Sequence, residues 1–110
     1  MKKLFILLFL GFTLLGFSQT TLISDPNFEQ ALIDLAYDTA PINGSVLTAN
    51  ISGVESLNVI NKNISSLDGI EDFTALNYLY CNDNQLTSID VTNNTALIQL
   101  DCRGNQLTSI

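Results

Sequence analysis

Residues 74–89 read TALNYLYCNDNQLTSI, and residues 95–110 read TALIQLDCRGNQLTSI. The two align without a gap at a shift of 21 residues, with 11 of 16 positions identical. Self-similarity at a fixed short period is the mark of a tandem array, in which each unit buries its apolar face against the next. A more divergent copy, VESLNVINKNISSL, occupies residues 54–67 at a shift of 22. It places Val54, Leu57, Val59, Ile64 and Leu67 where Leu76, Leu79, Cys81, Leu86 and Ile89 stand in the next unit.

Within a unit the order is L-x-x-L-x-C-x-x-N-x-L-x-x-I, carried by Leu76, Leu79, Cys81, Asn84, Leu86 and Ile89 and again by Leu97, Leu100, Cys102, Asn105, Leu107 and Ile110. This resembles the leucine-rich repeat, and the short period resembles the internalin-like repeats of secreted bacterial proteins. The first unit departs from the pattern, because Lys62 fills the asparagine slot. The resemblance covers residues 51–110 and implies a leucine-rich-repeat solenoid: a short parallel β-sheet with few helices on its outer side.

Side-chain parity supports the same expectation. Leu79 and Cys81 fall on one face of a short strand, and Leu100 and Cys102 do so one unit later. Stacked strands would form an inward ladder of leucine, valine and cysteine. Asn84 and Asn105 suit the inner bend, since an amide both donates and accepts; exposed loop asparagines are the competing reading. Leu67, Ile70 and Phe73 are spaced for one helical turn, whereas DVTNNTAL after Ile89 predicts a turn-like outer side.

Upstream, Ser24 or Asp25 can cap a helix that has Pro26 in its first turn. Phe28, Ala31, Leu32, Leu35 and Ala36 then share one face, and Pro41 with Asn43-Gly44 closes the segment. Residues 19–50 are accordingly expected to form a helical cap and linker over the open end of the first coil, with a partner-binding helix as the alternative. Residues 1–18 have the form of a secretory signal peptide: Lys2 and Lys3, an apolar run from Leu4 to Phe17, and a cleavage position after Ser18. The run falls short of the roughly 20 residues of a membrane span. No stable membrane insertion is expected after cleavage. The last unit stops short, so the chain is expected to be a fragment whose parent continues with further repeats.

After cleavage two cations, Lys62 and Arg103, would face 11 acidic residues. Such a surface repels phosphates, which removes nucleic acid from the expected partners. Cys81 and Cys102 have three readings. A zinc site would need four ligands, and the chain has no histidine and no C-x-x-C. A disulfide across adjacent strands is open, but both side chains point the same way. A buried packing thiol is favoured, because Val59 fills the equivalent slot. Asp68 and Asp90 are equivalent and, with Glu71 and Asp72, could attract calcium; a solvated acidic edge is the simpler reading. Catalysis has no foothold without histidine, nucleophile motif or phosphate loop. No cofactor is implied. The sequons at Asn43, Asn50, Asn63 and Asn93 are expected chance matches.

The opposite strand parity remains: Ser56, Asn58 and Ile60, then Tyr78, Tyr80 and Asn82, then Gln99, Asp101 and Arg103. The last six differ between two otherwise near-identical units. They are the expected contact residues of a concave surface for an extracellular protein or glycan, on a secreted or cell-surface chain, with adhesion as one use. The alternative is a structural spacer or a targeting arm for a downstream domain, enzymatic included.

Overall fold

The computed structural model describes residues 18–108, so the basic and apolar stretch read as a signal peptide and the final Ile110 lie outside it. In chain order the elements are β1 (Thr20–Leu22), α1 (Pro26–Asp34), β2 (Ser45–Leu47), α2 (Thr48–Ile51), β3 (Ser56–Asn58), a 3-10 turn (Ile70–Asp72), β4 (Tyr78–Tyr80) and β5 (Gln99–Asp101). β3, β4 and β5 form a parallel sheet, with Leu57 beside Leu79 and Leu79 beside Leu100. The register follows the repeat, and no inward residue changes face between coils. The ladder runs past the strand ends, because Val59 and Asn61 donate to the Tyr80 and Asn82 carbonyls and Cys81 and Asp83 to those of Asp101 and Arg103.

Leu57, Val59, Leu79 and Cys81 have no exposed surface. Leu100 and Cys102 pack on the same core but are only half-buried, since β5 has a neighbour on one side alone among the described residues. A fully buried leucine contributes about 1.5–3 kcal/mol, so the inner strands hold most of this term. The parity of packing is the one the alternation requires.

Asn84 is the polar centre of the stack. Its Oδ1 accepts from the Lys62 and Ile64 N–H groups at 2.9 and 3.0 Å, and its Nδ2 donates to the Val59 and Cys81 carbonyls, each at 2.9 Å. Asn105 repeats the arrangement, accepting from Leu86 N–H and donating to the carbonyls of Cys81 and Cys102. Each amide thus reaches back one coil. The first coil has no coil behind it, which is why Lys62 can occupy its asparagine slot and remain exposed. Asp25 of the cap takes over part of that duty, accepting from Ser65 N–H at 2.6 Å and Ser66 N–H at 3.0 Å. Its other oxygen caps α1 through Asn27 N–H at 2.8 Å.

The outer side is the turn-like path expected after Ile89, and the single helical turn falls at Ile70–Asp72. Phe73 stacks on Phe28 of α1, with ring centroids 6.3 Å apart. Its counterpart one coil later is Asn94, whose Nδ2 donates to the Ile70 and Phe73 carbonyls at 2.8 and 3.1 Å. A second asparagine rung therefore ties the outer edge. Gly69 (φ +109°) sits where the cap meets the first coil: a Cβ there would strike Ile23 Cδ1 and lie 2.7 Å from the Leu22 carbonyl oxygen.

Two features of the cap depart from the sequence reading. α1 stops at Asp34, so Leu35 is not on its buried face and is 41% exposed. Ala36 turns left-handed at φ 68°, while Ala36 and Tyr37 N–H bond back to Ile33 and Leu32 carbonyls. This is a Schellman closure, a backbone device that helical apolar spacing does not reveal. The cap also contains an antiparallel pair, with Thr20 opposite Leu47 and Leu22 opposite Ser45. A three-residue strand outside the repeat carries too little alternation to be read from sequence.

Replacing Asn84 with alanine strands several buried backbone groups at once. We expect a loss of about 2–5 kcal/mol in urea unfolding, against a change within about 0.5 kcal/mol for Lys62→Ala.

Candidate binding surface

The side chains that alternate with the buried ones share the open face of the parallel sheet. Register brings them into rows: Ser56 beside Tyr78 beside Gln99, and Asn58 beside Tyr80 beside Asp101. Tyr78 is 37% exposed and Gln99 is exposed, whereas Tyr80 and Asp101 are half-buried. Asn82 and Arg103 follow their strands by two residues. All six residues singled out from sequence therefore lie on or beside β4 and β5, together with Ser56 and Asn58.

Their availability differs. Arg103 folds back on Asp101, with Nε at 2.9 Å from Oδ1 and an Nη at 2.8 Å from Oδ2, while its side chain stays 82% exposed. The fork holds the Asp101 carboxyl below the usual carboxylate range and raises the guanidinium. The pair is self-neutralised, and the guanidinium is fixed with its remaining N–H groups toward solvent. Asn82 spends its Nδ2 on Asp83 at 2.9 Å, and its Oδ1 is buried without a donor. It is the least free of the six.

Ile98 is a surface residue that sequence parity missed. It is 71% exposed, directly before β5, in the slot that Asn77 fills one coil earlier. Asn77 uses its amide to donate to the Ala96 carbonyl at 3.0 Å, so the change from asparagine to isoleucine exchanges a coil-to-coil bond for an apolar surface group. That substitution, at a position adjoining the variable ones, was the available signal.

Both cysteines are free thiols. Cys81 is fully buried and its Sγ lies 3.5 Å from the Asp101 carbonyl. Burial first, then the neighbouring Cys102 and Asp101, push its thiol up to about 12. They fill consecutive rungs of the inward ladder, behind the open face. Asp68 and Asp90 do come to one edge, lining with Glu71 and several serines a hollow of about 330 Å3. Among the described residues no three acidic or thiol groups are gathered as a metal would require, and no helix is long and apolar enough to cross a membrane.

Solved structures that share this arrangement include three from Listeria monocytogenes. An internalin, inlF, from Listeria monocytogenes superposes with a TM-score of 0.72 at 27% identity over 81% of this chain. Internalin C2 from the same organism gives 0.72 at 25% identity over 86%. The functional domain of InlJ from Listeria monocytogenes, described as including a cysteine ladder, gives 0.67 at 26% identity over 84%. The fold is internalin-like, of the leucine-rich-repeat type. The chain spans 26%, 43% and 24% of these three chains respectively. No family model and no curated protein matches it.

A thiol pushed up to about 12 is ionised to only about one part in ten thousand at pH 8. With iodoacetamide at that pH, mass spectrometry should show Cys102 alkylated first and Cys81 intact until denaturant is added. Ready alkylation of Cys81 in the folded chain would contradict its burial.

Proposed function

We propose that this chain is exported and binds another protein outside the cytoplasm through the open face of β3, β4 and β5. The observation that carries the reading is the contrast between rungs. Two coils with 11 of 16 positions in common keep their inward residues and differ at Tyr78/Gln99, Tyr80/Asp101 and Asn82/Arg103. Packing fixes one parity and leaves the other for recognition. Tyrosines and a pre-organised arginine are the residue types that anchor protein interfaces. Export rests on Lys2, Lys3 and the apolar run that follows. The internalin-like fold supports a non-enzymatic binding role, and further repeats of the same kind would extend the same face.

The partner segment should be neutral and at least partly apolar. Among the open-parity residues only Asp101 and Arg103 are charged, and these neutralise each other; Asp83 at their side is tied to the Asn82 amide, and the acids at positions 68, 71 and 90 lie at the edge hollow. Association should therefore change little with ionic strength, unlike binding steered by opposed net charges. A stiff spacer would use none of these side chains.

The test is a photo-crosslinking residue at position 80 compared with one at position 92 on the outer side, using the extracellular proteins of the source cells. Adducts should form from position 80 only. Tyr78→Ala with Tyr80→Ala should lower affinity for the identified partner by about ten- to a hundredfold, with the unfolding midpoint nearly unchanged. Equal adducts from both positions, or undiminished affinity, would favour the spacer.

A further inference from the structure

Cys81 and Cys102 are the two thiols of the chain, and the sheet makes them neighbours. Tyr80 pairs with Asp101 in parallel register, so the next pair along the two strands is Cys81 and Cys102. Cys81 N–H donates to the Asp101 carbonyl at 2.9 Å, which carries the ladder up to them. The Cys81 side chain leans across the same gap, its S–H donating to that carbonyl at 3.5 Å. One amide holds both backbones: Asn105 Nδ2 donates to the Cys81 carbonyl at 3.1 Å and to the Cys102 carbonyl at 3.0 Å.

Two thiols on consecutive rungs have few chemical uses. Both take the inward parity, so their β-carbons stay near the strand separation of about 4.8 Å. A disulfide prefers about 3.8 Å, and both thiols are free. Among the described residues no third thiol or acid joins them, so a four-ligand site cannot form. An ion that takes two ligands in line needs only the pair. Metal–thiolate bonds are about 2.3 Å long, so a sulfur–metal–sulfur line spans about 4.6 Å, close to the distance between rungs.

We propose that Cys81 and Cys102 bind one Cu(I) ion, or another soft cation of that type, in linear coordination, and so bridge the coils of β4 and β5. The site lies behind the face assigned to recognition and does not depend on it. Thiolates select soft ions over calcium, magnesium and manganese, and the ligand number separates Cu(I) from tetrahedral zinc. Leu79, Leu86, Leu100 and Leu107 share the core with the pair and add no donor. Asn105 supplies the supporting shell, since it fixes the spacing of the two backbones.

Cys81 is sealed and Cys102 is half-buried, so the ion enters at Cys102 and closes onto Cys81. Two S–H bonds give way to two metal–sulfur bonds, both protons pass to solvent, and no electron is transferred. The bridged pair keeps one negative charge, at the end that solvent reaches. Burial, then the neighbouring Cys102 and Asp101, push the Cys81 thiol up to about 12. Protons therefore compete with the ion, and uptake strengthens as pH rises.

The test compares the wild-type chain with valine variants, because Val59 already fills the equivalent rung without exposed surface. Titrated anaerobically with Cu(I) against a coloured competing chelator, the wild-type chain should take up one ion per chain. Cys81→Val and Cys102→Val should each weaken uptake by more than about a hundredfold, since loss of a supporting residue alone costs about 10–100-fold. Bound Cu(I) should also shield Cys102 from iodoacetamide in the wild-type chain and not in C81V. X-ray absorption at the copper edge should show two sulfur neighbours, a result that needs no variant. Undiminished uptake by C81V, a third ligand on the ion, or copper-driven dimers joined through Cys102 would overturn the proposal.

Discussion

A chain that turns back on itself every 21 or 22 residues with almost no helix satisfies only part of its bent backbone within a coil. The neighbouring coil must do the rest, and the amide of Asn84 is where the obligation concentrates. It takes two N–H groups and gives to buried carbonyls on both sides of the coil boundary. Everything else is compatible with that exchange. Strand register places Val59 and Cys81 side by side so that one amide spans both carbonyls. Inward leucines seal the network from water, which makes each of its bonds costly to lose. The left-handed residue in each bend, Asn61, Asp83 and then Gly104, is of a type that tolerates positive φ. At Gly104 the fit is closer still, because a Cβ would meet Asp83.

That same frame leaves the open face of the sheet free to vary. Side chains of the open parity take no part in the amide network or the leucine core, so they can vary without unfolding the stack. The Asp101–Arg103 fork illustrates the freedom. It bonds within its own coil, leaves the ladder untouched, and presents an exposed guanidinium held by Asp101, which lies beside Tyr80. The Cys81 thiol behind it is sealed, and Cys81 and Cys102 serve the frame rather than the surface.

Much of this was legible in sequence because the repeat exposes which positions are constrained. Comparing two units separates Leu79 and Leu100, which must match, from Tyr80 and Asp101, which need not. Legibility failed where no second copy exists. The cap occurs once, so nothing distinguished Thr20–Leu22 as a strand, and the end of α1 depended on a left-handed alanine that apolar spacing cannot register. Asp25 could be read as a helix cap, but its second bond to Ser65 crosses 40 residues and is visible only in three dimensions. Asn94 and Ile98 are a different failure. Each replaces a residue of another kind in an aligned slot, and an alignment reads such a change as drift until the packing assigns it a role.

The two repeat lengths differ without disturbing the sheet. Tyr78 pairs with Ser56 across 22 residues and with Gln99 across 21, yet the inner slots stay in phase. The extra residue is absorbed on the outer side, in the stretch that holds Gly69 and the 3-10 turn. A change of one residue at the back thus leaves the rows of the open face in register, and the outer side can vary in length without shifting them.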